Sequence, residues 1–198
     1  ATNEDEAKRL VQVGDAAVYD APIRQAGKRV ISPYLDDRIA CLVLLAAMEQ
    51  LEKTDNNLYF VFSVQEEVGA RGAKTAAWAI DPDYGIAVDV TDVDDTPGSE
   101  RCGTTRLGKG AAVKVMDSSI ICHPEVVAKL EEIAKSQSIP IQRDIMRSGG
   151  TDAGAIQNAH YGVKTGGISI PCRYVHTPAE TADLKDARAC VRLIAALA

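Results

Sequence analysis

Aromatic side chains are scarce in this chain: one Trp, two Phe and six Tyr among 198 residues. That is a poor supply of the platforms on which sugars stack. Basic residues are outnumbered, with Lys plus Arg at 22 against Asp plus Glu at 28 and a net charge of −6. No basic cluster stands out locally, which argues against a nucleic-acid partner. No apolar run is long enough to span a membrane, and no secretory h-region opens the chain, so no membrane association is expected. The five cysteines, Cys41, Cys102, Cys122, Cys172 and Cys190, are odd in number and lack any CxxC spacing. They read as free thiols in a reducing cytoplasm. Internal repeats and low-complexity segments are absent. An initiating Met is absent too: ATNEDEAKRL opens inside a short helical pattern, as the middle of a larger protein would.

What remains is an ordinary globular composition, 46% hydrophobic and 25% charged, sufficient for one substantial core and a small appendage. Thr2 to Val11 reads as an amphipathic helix capped by Thr2 or Asn3. The pieces AAVY and KRVI read as small strands, with turns at Ala21-Pro22 and Gly27. Asp37 to Leu51 is apolar nearly all round and is expected to be a buried helix. Leu58 to Gln65 reads as a strand buried on both faces. Helices are expected over 73–80, 123–136 and 183–197, with a shorter one running from the 148–152 turn through Asn158. Strands are expected over 85–90, 111–116, 139–146 and 166–171. The stretch 92–110, with Pro97, Gly98, Gly103 and Gly108, reads as a long loop. Alternating strands and helices predict an α/β fold, a mixed β-sheet flanked by helices.

The chemistry concentrates where apolar elements meet loops. The run LYFVFSVQEEVG ends in two adjacent carboxylates, Glu66 and Glu67. Their mutual repulsion and desolvation both cost free energy, and a divalent metal would offset both. Asp36 and Asp37 precede the apolar helix, Asp89 lies near the end of GIAVDV, and His176 follows GISIPCRYV. Each has a bland reading: Asp36 as a helix cap, the Glu pair as solvated charges, His176 as a structural histidine. An Asp89 on an apolar strand is hardest to dismiss, because an unpaired buried carboxylate is expensive. Three carboxylate sites and one imidazole suit Zn²⁺, Mn²⁺ or Co²⁺ better than Mg²⁺.

Five motifs occur in one order: LDDR (35–38), QEEVGARGA (65–73), AVDVTD (87–92), GGTDAG (149–154) and RYVHTPAE (173–180). Together they resemble the M42 family of dinuclear metallo-aminopeptidases, whose members are often described as endoglucanases. The resemblance covers essentially the whole chain. It implies a dinuclear metallopeptidase catalytic domain over 34–198 and, over 1–33, the tail of a small inserted β-barrel used for oligomer contacts. It implies peptide substrates with a free N-terminus, two divalent cations (Zn or Co) in the complete enzyme, and a homo-oligomer, a dodecamer in the family. Asp36 matches the carboxylate that bridges the metals, and its bond to Asp37 is implied to be cis. Glu66 matches the general base, Glu67 and His176 ligands of one metal, and Asp89 a ligand of the other. Asp152 lies in a loop beside the site in the family; a glycine turn capped by Asp152 or Thr151 explains that loop equally well. Arg173 reads equally well as an ion-pair partner. The family's remaining ligand is a His in a His-x-Asp motif ahead of Asp36. The three histidines here are His123, His160 and His176, and none precedes Asp36. The chain therefore reads as the C-terminal part of a larger enzyme, holding one ion or none. A glycoside hydrolase acting through paired carboxylates and a non-catalytic metal-binding or assembly module are the competing readings.

Overall fold

The fold is that of a computed structural model, which describes residues 1–96, 98 and 103–198. Pro97 and Cys102 lie outside the described residues. The helices are α1 (Glu4–Leu10), α2 (Leu35–Met48), α3 (Arg71–Ile80), α4 (Pro124–Ser136), α5 (Asp152–Ile156) and α6 (Leu184–Leu197). The strands are β1 (Arg24–Ala26), β2 (Arg29–Ile31), β3 (Tyr84–Asp92), β4 (Ala111–Met116), β5 (Ile141–Ile145), β6 (Lys164–Arg173) and β7 (Thr181–Asp183). Capping follows the sequence. Asn3 accepts from the Glu6 N–H, His123 from Glu125 ahead of a proline in the first turn, and Asp183 from Lys185.

All strands join one mixed sheet in the order β1-β2-β7-β6-β4-β5, with β3 on the other side of β6. The backbone of the arrangement is the parallel β3–β6 pair, in register from Tyr84 opposite Lys164 to Asp92 opposite Cys172. β6 is buried along nearly its whole length, as its run GGISIPC demands. A Cβ on Gly167 would sit 3.1 Å from the Lys114 Cβ, so glycine there lets β4 close onto β6. Helices α2, α4 and α6 contribute Val43, Leu130, Leu193 and their neighbours to one continuous core against Val113, Ile168 and Ile170. Ala77 of α3 packs with Ala159 and Val163 in a smaller cluster.

Several sequence expectations need correction. The run 58–65 is not a strand: none of it joins a ladder, and Tyr59 and Val64 are 65% and 68% exposed. Composition reports that a segment is apolar, not that a partner strand lies beside it. Helix α2 is not buried all round; Ile39, Ala40, Val43 and Ala47 face the core, while Leu42 and Leu45 stand exposed. AAVY forms no strand. β7 was not foreseen, because three residues carry no readable period. β1 and β2 extend the main sheet through β7.

One polar feature is buried in the sheet. The Lys114 ammonium of β4, 1% exposed, pairs with Asp144 of β5 at 2.7 Å, and the other Asp144 oxygen accepts from Thr91 of β3 at 3.1 Å. Removing one partner strands a buried charge. Lys114→Met should therefore cost about 3–5 kcal/mol in denaturant unfolding. Lys114→Met with Asp144→Leu should recover most of that loss; equal losses in the single and double variants would show that the pair's charge is not what matters.

Candidate metal centre

β3 and β6 run parallel, so residues at and beyond their C-terminal ends emerge on one side of the sheet. Asp89 lies near the end of β3 and His176 three residues past β6. Asp36 and Asp37 arrive from the kinked start of α2, where both depart from helical geometry and are joined by a cis peptide bond. Glu66 and Glu67 come from the turn before α3, in which the Glu66 carbonyl accepts from Gly69 and Ala70 at 3.0 and 2.9 Å. Five non-glycine residues around the site have left-handed backbones: Tyr34 (φ 63°), Gln65 (φ 60°), Ala70 (φ 50°), Tyr174 (φ 59°) and His176 (φ 63°). Such conformations cost roughly 1–3 kcal/mol each and persist where surrounding contacts enforce them.

The sequence-predicted residues converge. His176 Nε2 lies 3.0 Å from an Asp36 carboxylate oxygen and 3.1 Å from one of Glu67. Ligand atoms of Asp36, Glu67 and His176 all fall within 4.8 Å of one another, and so do those of Asp36, Asp37 and Asp89. Asp36 belongs to both groups. Asp37, foreseen only as a supporting residue, has a carboxylate oxygen among the second set. The two other histidines are elsewhere. His123 caps α4, and His160 stacks on Trp78 with ring centroids 4.1 Å apart.

The electrostatics are one-sided. Burial, then the Glu67 charge, pushes Asp36 up to about 6 despite the opposing pull of His176. Asp37 and Asp89 are both raised, first by burial and then by neighbouring carboxylates. Burial, then Asp152, Glu67 and Asp36, lifts Glu66 to about 7. Asp152 is itself raised by burial; one of its oxygens accepts from Ser63 at 2.5 Å and the other is buried with no partner among the described residues. An Asp37 oxygen is likewise buried without a partner among those residues. Orphaned carboxylate oxygens and crowded acids facing one imidazole are the donor set a divalent cation would satisfy. The residues therefore fit a metal. A cleft of about 480 Å³ adjoins His176, with Asp94, Thr96, Ser148 and Tyr174 among its walls. Arg173 pairs with Asp95 at 2.5 Å, the ion-pair role expected of it.

Sequence reading missed Glu180. This residue, 3% exposed, accepts from the backbone N–H groups of both Asp36 and His176. Its only signal was its place at the end of RYVHTPAE.

Comparison with known proteins follows the same lines. The sequence profile described as M42 glutamyl aminopeptidase matches residues 1–193. A protein of Acetivibrio thermocellus is 50% identical over 194 residues, 98% of this chain and 58% of that protein. An aminopeptidase from the archaeon Desulfurococcus kamchatkensis superposes with a TM-score of 0.92 at 43% identity, covering 99% of this chain and 56% of that one. A Pyrococcus horikoshii TET1 peptidase, which can assemble into a tetrahedron or a large octahedral shell, superposes with a TM-score of 0.81 at 36% identity, covering 98% of this chain and 57% of that one. The chain thus spans a little over half the length of these relatives.

Crowding makes a prediction for the metal-free chain. Glu66 moves from 4.5 to about 7 on folding, so the folded state holds more protons in that window and stability falls as pH rises through it. Glu66→Gln removes that titration. The Tm of the variant should gain on wild type between about pH 4.5 and 7, in the absence of metal. A difference that stays constant with pH would show that the Glu66 carboxyl is not desolvated.

Proposed function

This chain belongs to the M42 glutamyl aminopeptidase family, and from that premise we propose that it carries the catalytic site of a metal-dependent aminopeptidase. The supporting observation is the gathering of Asp36, Glu67 and His176 within 4.8 Å, beside a Glu66 lifted to about 7. Residues 34–198 form the catalytic domain in this reading. Residues 1–33 belong to an inserted oligomerisation domain; α1 contributes no buried residue to the core. The substrate is a peptide with a free N-terminus, and the working state is a homo-oligomer, as in the TET1 relative. The described cysteines form no disulfides, which favours a cytoplasmic setting.

Asp36, Glu67 and His176 would hold one divalent cation, Zn²⁺ or Co²⁺ by donor type, and Asp36 with Asp89 would supply part of the site for a second. When bound, such ions polarise a carbonyl and acidify water. The chain's own residues do the rest. Glu66 is half-buried and has a proton affinity near neutrality, where a general base works best. It takes the proton of the attacking water and returns it to the leaving amine. Burial, and then the charge of Asp152, keeps that affinity high.

Glu66→Gln keeps the shape and loses the proton acceptor. Hydrolysis of an aminoacyl chromogenic amide with Zn²⁺ or Co²⁺ added should fall by roughly 10²–10⁴, with metal binding largely intact in a titration. Parallel loss of metal would mean that Glu66 is itself a ligand and that its role has been exchanged with that of Glu67.

A further inference from the structure

We propose that Glu180 is a positioning residue that fixes Asp36 and His176 at metal-binding separation. The inference rests on the reading of those two side chains as ligands of one cation. Glu180 is 3% exposed and stands at the foot of β7. One carboxylate oxygen, Oε2, accepts from the Asp36 N–H at 2.9 Å, across 144 residues of sequence. The other, Oε1, accepts from the His176 N–H at 2.9 Å. Its own carbonyl accepts from the Ser32 N–H at 3.0 Å. A single residue therefore ties the start of α2 to the loop that follows β6.

Both tied segments need holding. The His176 side chain is 68% exposed, and its backbone is left-handed at φ 63°. Other hydrogen bonds in this loop run between its own residues, from Thr177 to the Tyr174 carbonyl and from Ala179 to the Thr177 hydroxyl. On the other side, Asp36 follows Tyr34, also left-handed at φ 63°. The planar carboxylate offers one acceptor to each amide, so the separation of the two backbones is set by a rigid group. His176 Nε2 then meets the Asp36 carboxylate at 3.0 Å, the spacing of donors that share a cation. Anchoring groups of this kind tune metal sites as strongly as many ligands do.

Glutamine cannot replace this bridge. Its NH₂ would face one of the two N–H groups, donor against donor, and leave that amide unsatisfied. Aspartate keeps the charge but is one methylene too short to span both. The test is a Zn²⁺ competition titration against a chromophoric chelator on the full 198-residue chain. Glu180→Gln and Glu180→Asp should each weaken binding about 10–100-fold, with far-UV circular dichroism showing the metal-free variants folded. Wild-type affinity in Glu180→Gln would overturn the bridge. Wild-type affinity in Glu180→Asp would overturn it too, since charge rather than span would then suffice. Should the variants fail to fold, amide hydrogen exchange in wild type decides. Slow exchange at Asp36 and His176 is expected, and exchange at the rate of an exposed loop at His176 rules the bridge out. A wild-type chain that binds no Zn²⁺ would instead remove the metal reading itself, and the positioning role with it.

Discussion

The constraint on which the rest of this structure depends is unbalanced negative charge. The His176 imidazole meets Asp36 and Glu67, Asp36 in turn gathers with Asp37 and Asp89, and Glu66 and Glu180 act on the same group. Their arrangement is graded: Asp89 and Glu180 are buried at 8% and 3% exposure, while Glu67 and His176 stand in the open at 57% and 68%. Acids form the wall and the imidazole forms the lip. In a metal-free molecule the arrangement costs free energy on two counts, desolvation and like-charge repulsion, and both appear as raised proton affinities at Asp36, Asp37, Asp89 and Glu66. A divalent cation would remove both costs at once, which would couple its binding to folding.

The sheet is the device that assembles this wall. β3 and β6 run parallel through nine residues of β3, so Asp89 and the loop carrying His176 leave the sheet on the same side. β7 then returns antiparallel against Cys172 and Arg173, which brings Glu180 back beneath that loop. β2 pairs with β7 in turn, and the chain leaves β2 through Ser32 into the start of α2, where Asp36 lies. Three separate segments are thereby registered against one another by backbone ladders before any side chain of the site is considered. The buried Lys114–Asp144–Thr91 chain pins β4 and β5 to β3 two residues beyond Asp89. It is a charge pair at the rear of a charge cluster, and it is internally neutral.

Much of this was legible in the sequence, for identifiable reasons. β3, β4 and β6 announce themselves by apolar runs, and α4 and α6 by caps and period, since each reads the same locally as globally. The candidate ligands were legible because a carboxylate at the mouth of an apolar element has few cheap explanations. Leu58–Gln65 misled because β-rich composition encodes the preference of a strand and not the existence of its partner. The outer face of α2 misled for a related reason: Leu42 and Leu45 carry the same apolar signal as Val43 but point away from the core. Glu180 was illegible because its partners are backbone amides, one of them 144 residues away. Backbone groups have no sequence identity, so no spacing could reveal the contact. Asp37 lay in plain view beside Asp36, yet its oxygen reaches the Asp36–Asp89 group only because α2 begins with two non-helical residues.

A general base must be held within a fraction of an ångström of its place, yet the run leading to Glu66 has no ladder to hold it. The structure supplies the constraint from the other side. The Gly72 N–H donates to the Val64 carbonyl at 2.9 Å, Arg71 donates to Gln65 at 3.3 Å, and the Glu66 carbonyl takes two more bonds from the turn. A Cβ at Gly72 would sit 2.5 Å from the Val64 nitrogen, so only glycine permits α3 to approach this closely. Ser63 adds a side-chain tie to Asp152, the same carboxylate that keeps the proton affinity of Glu66 high. The first turn of α3 thus locks the backbone of the proposed base, while burial, followed by the charges of Asp152, Glu67 and Asp36, raises its proton affinity. The glycines of QEEVGARG belong to that lock, which is why a motif so short can specify where the carboxylate stands.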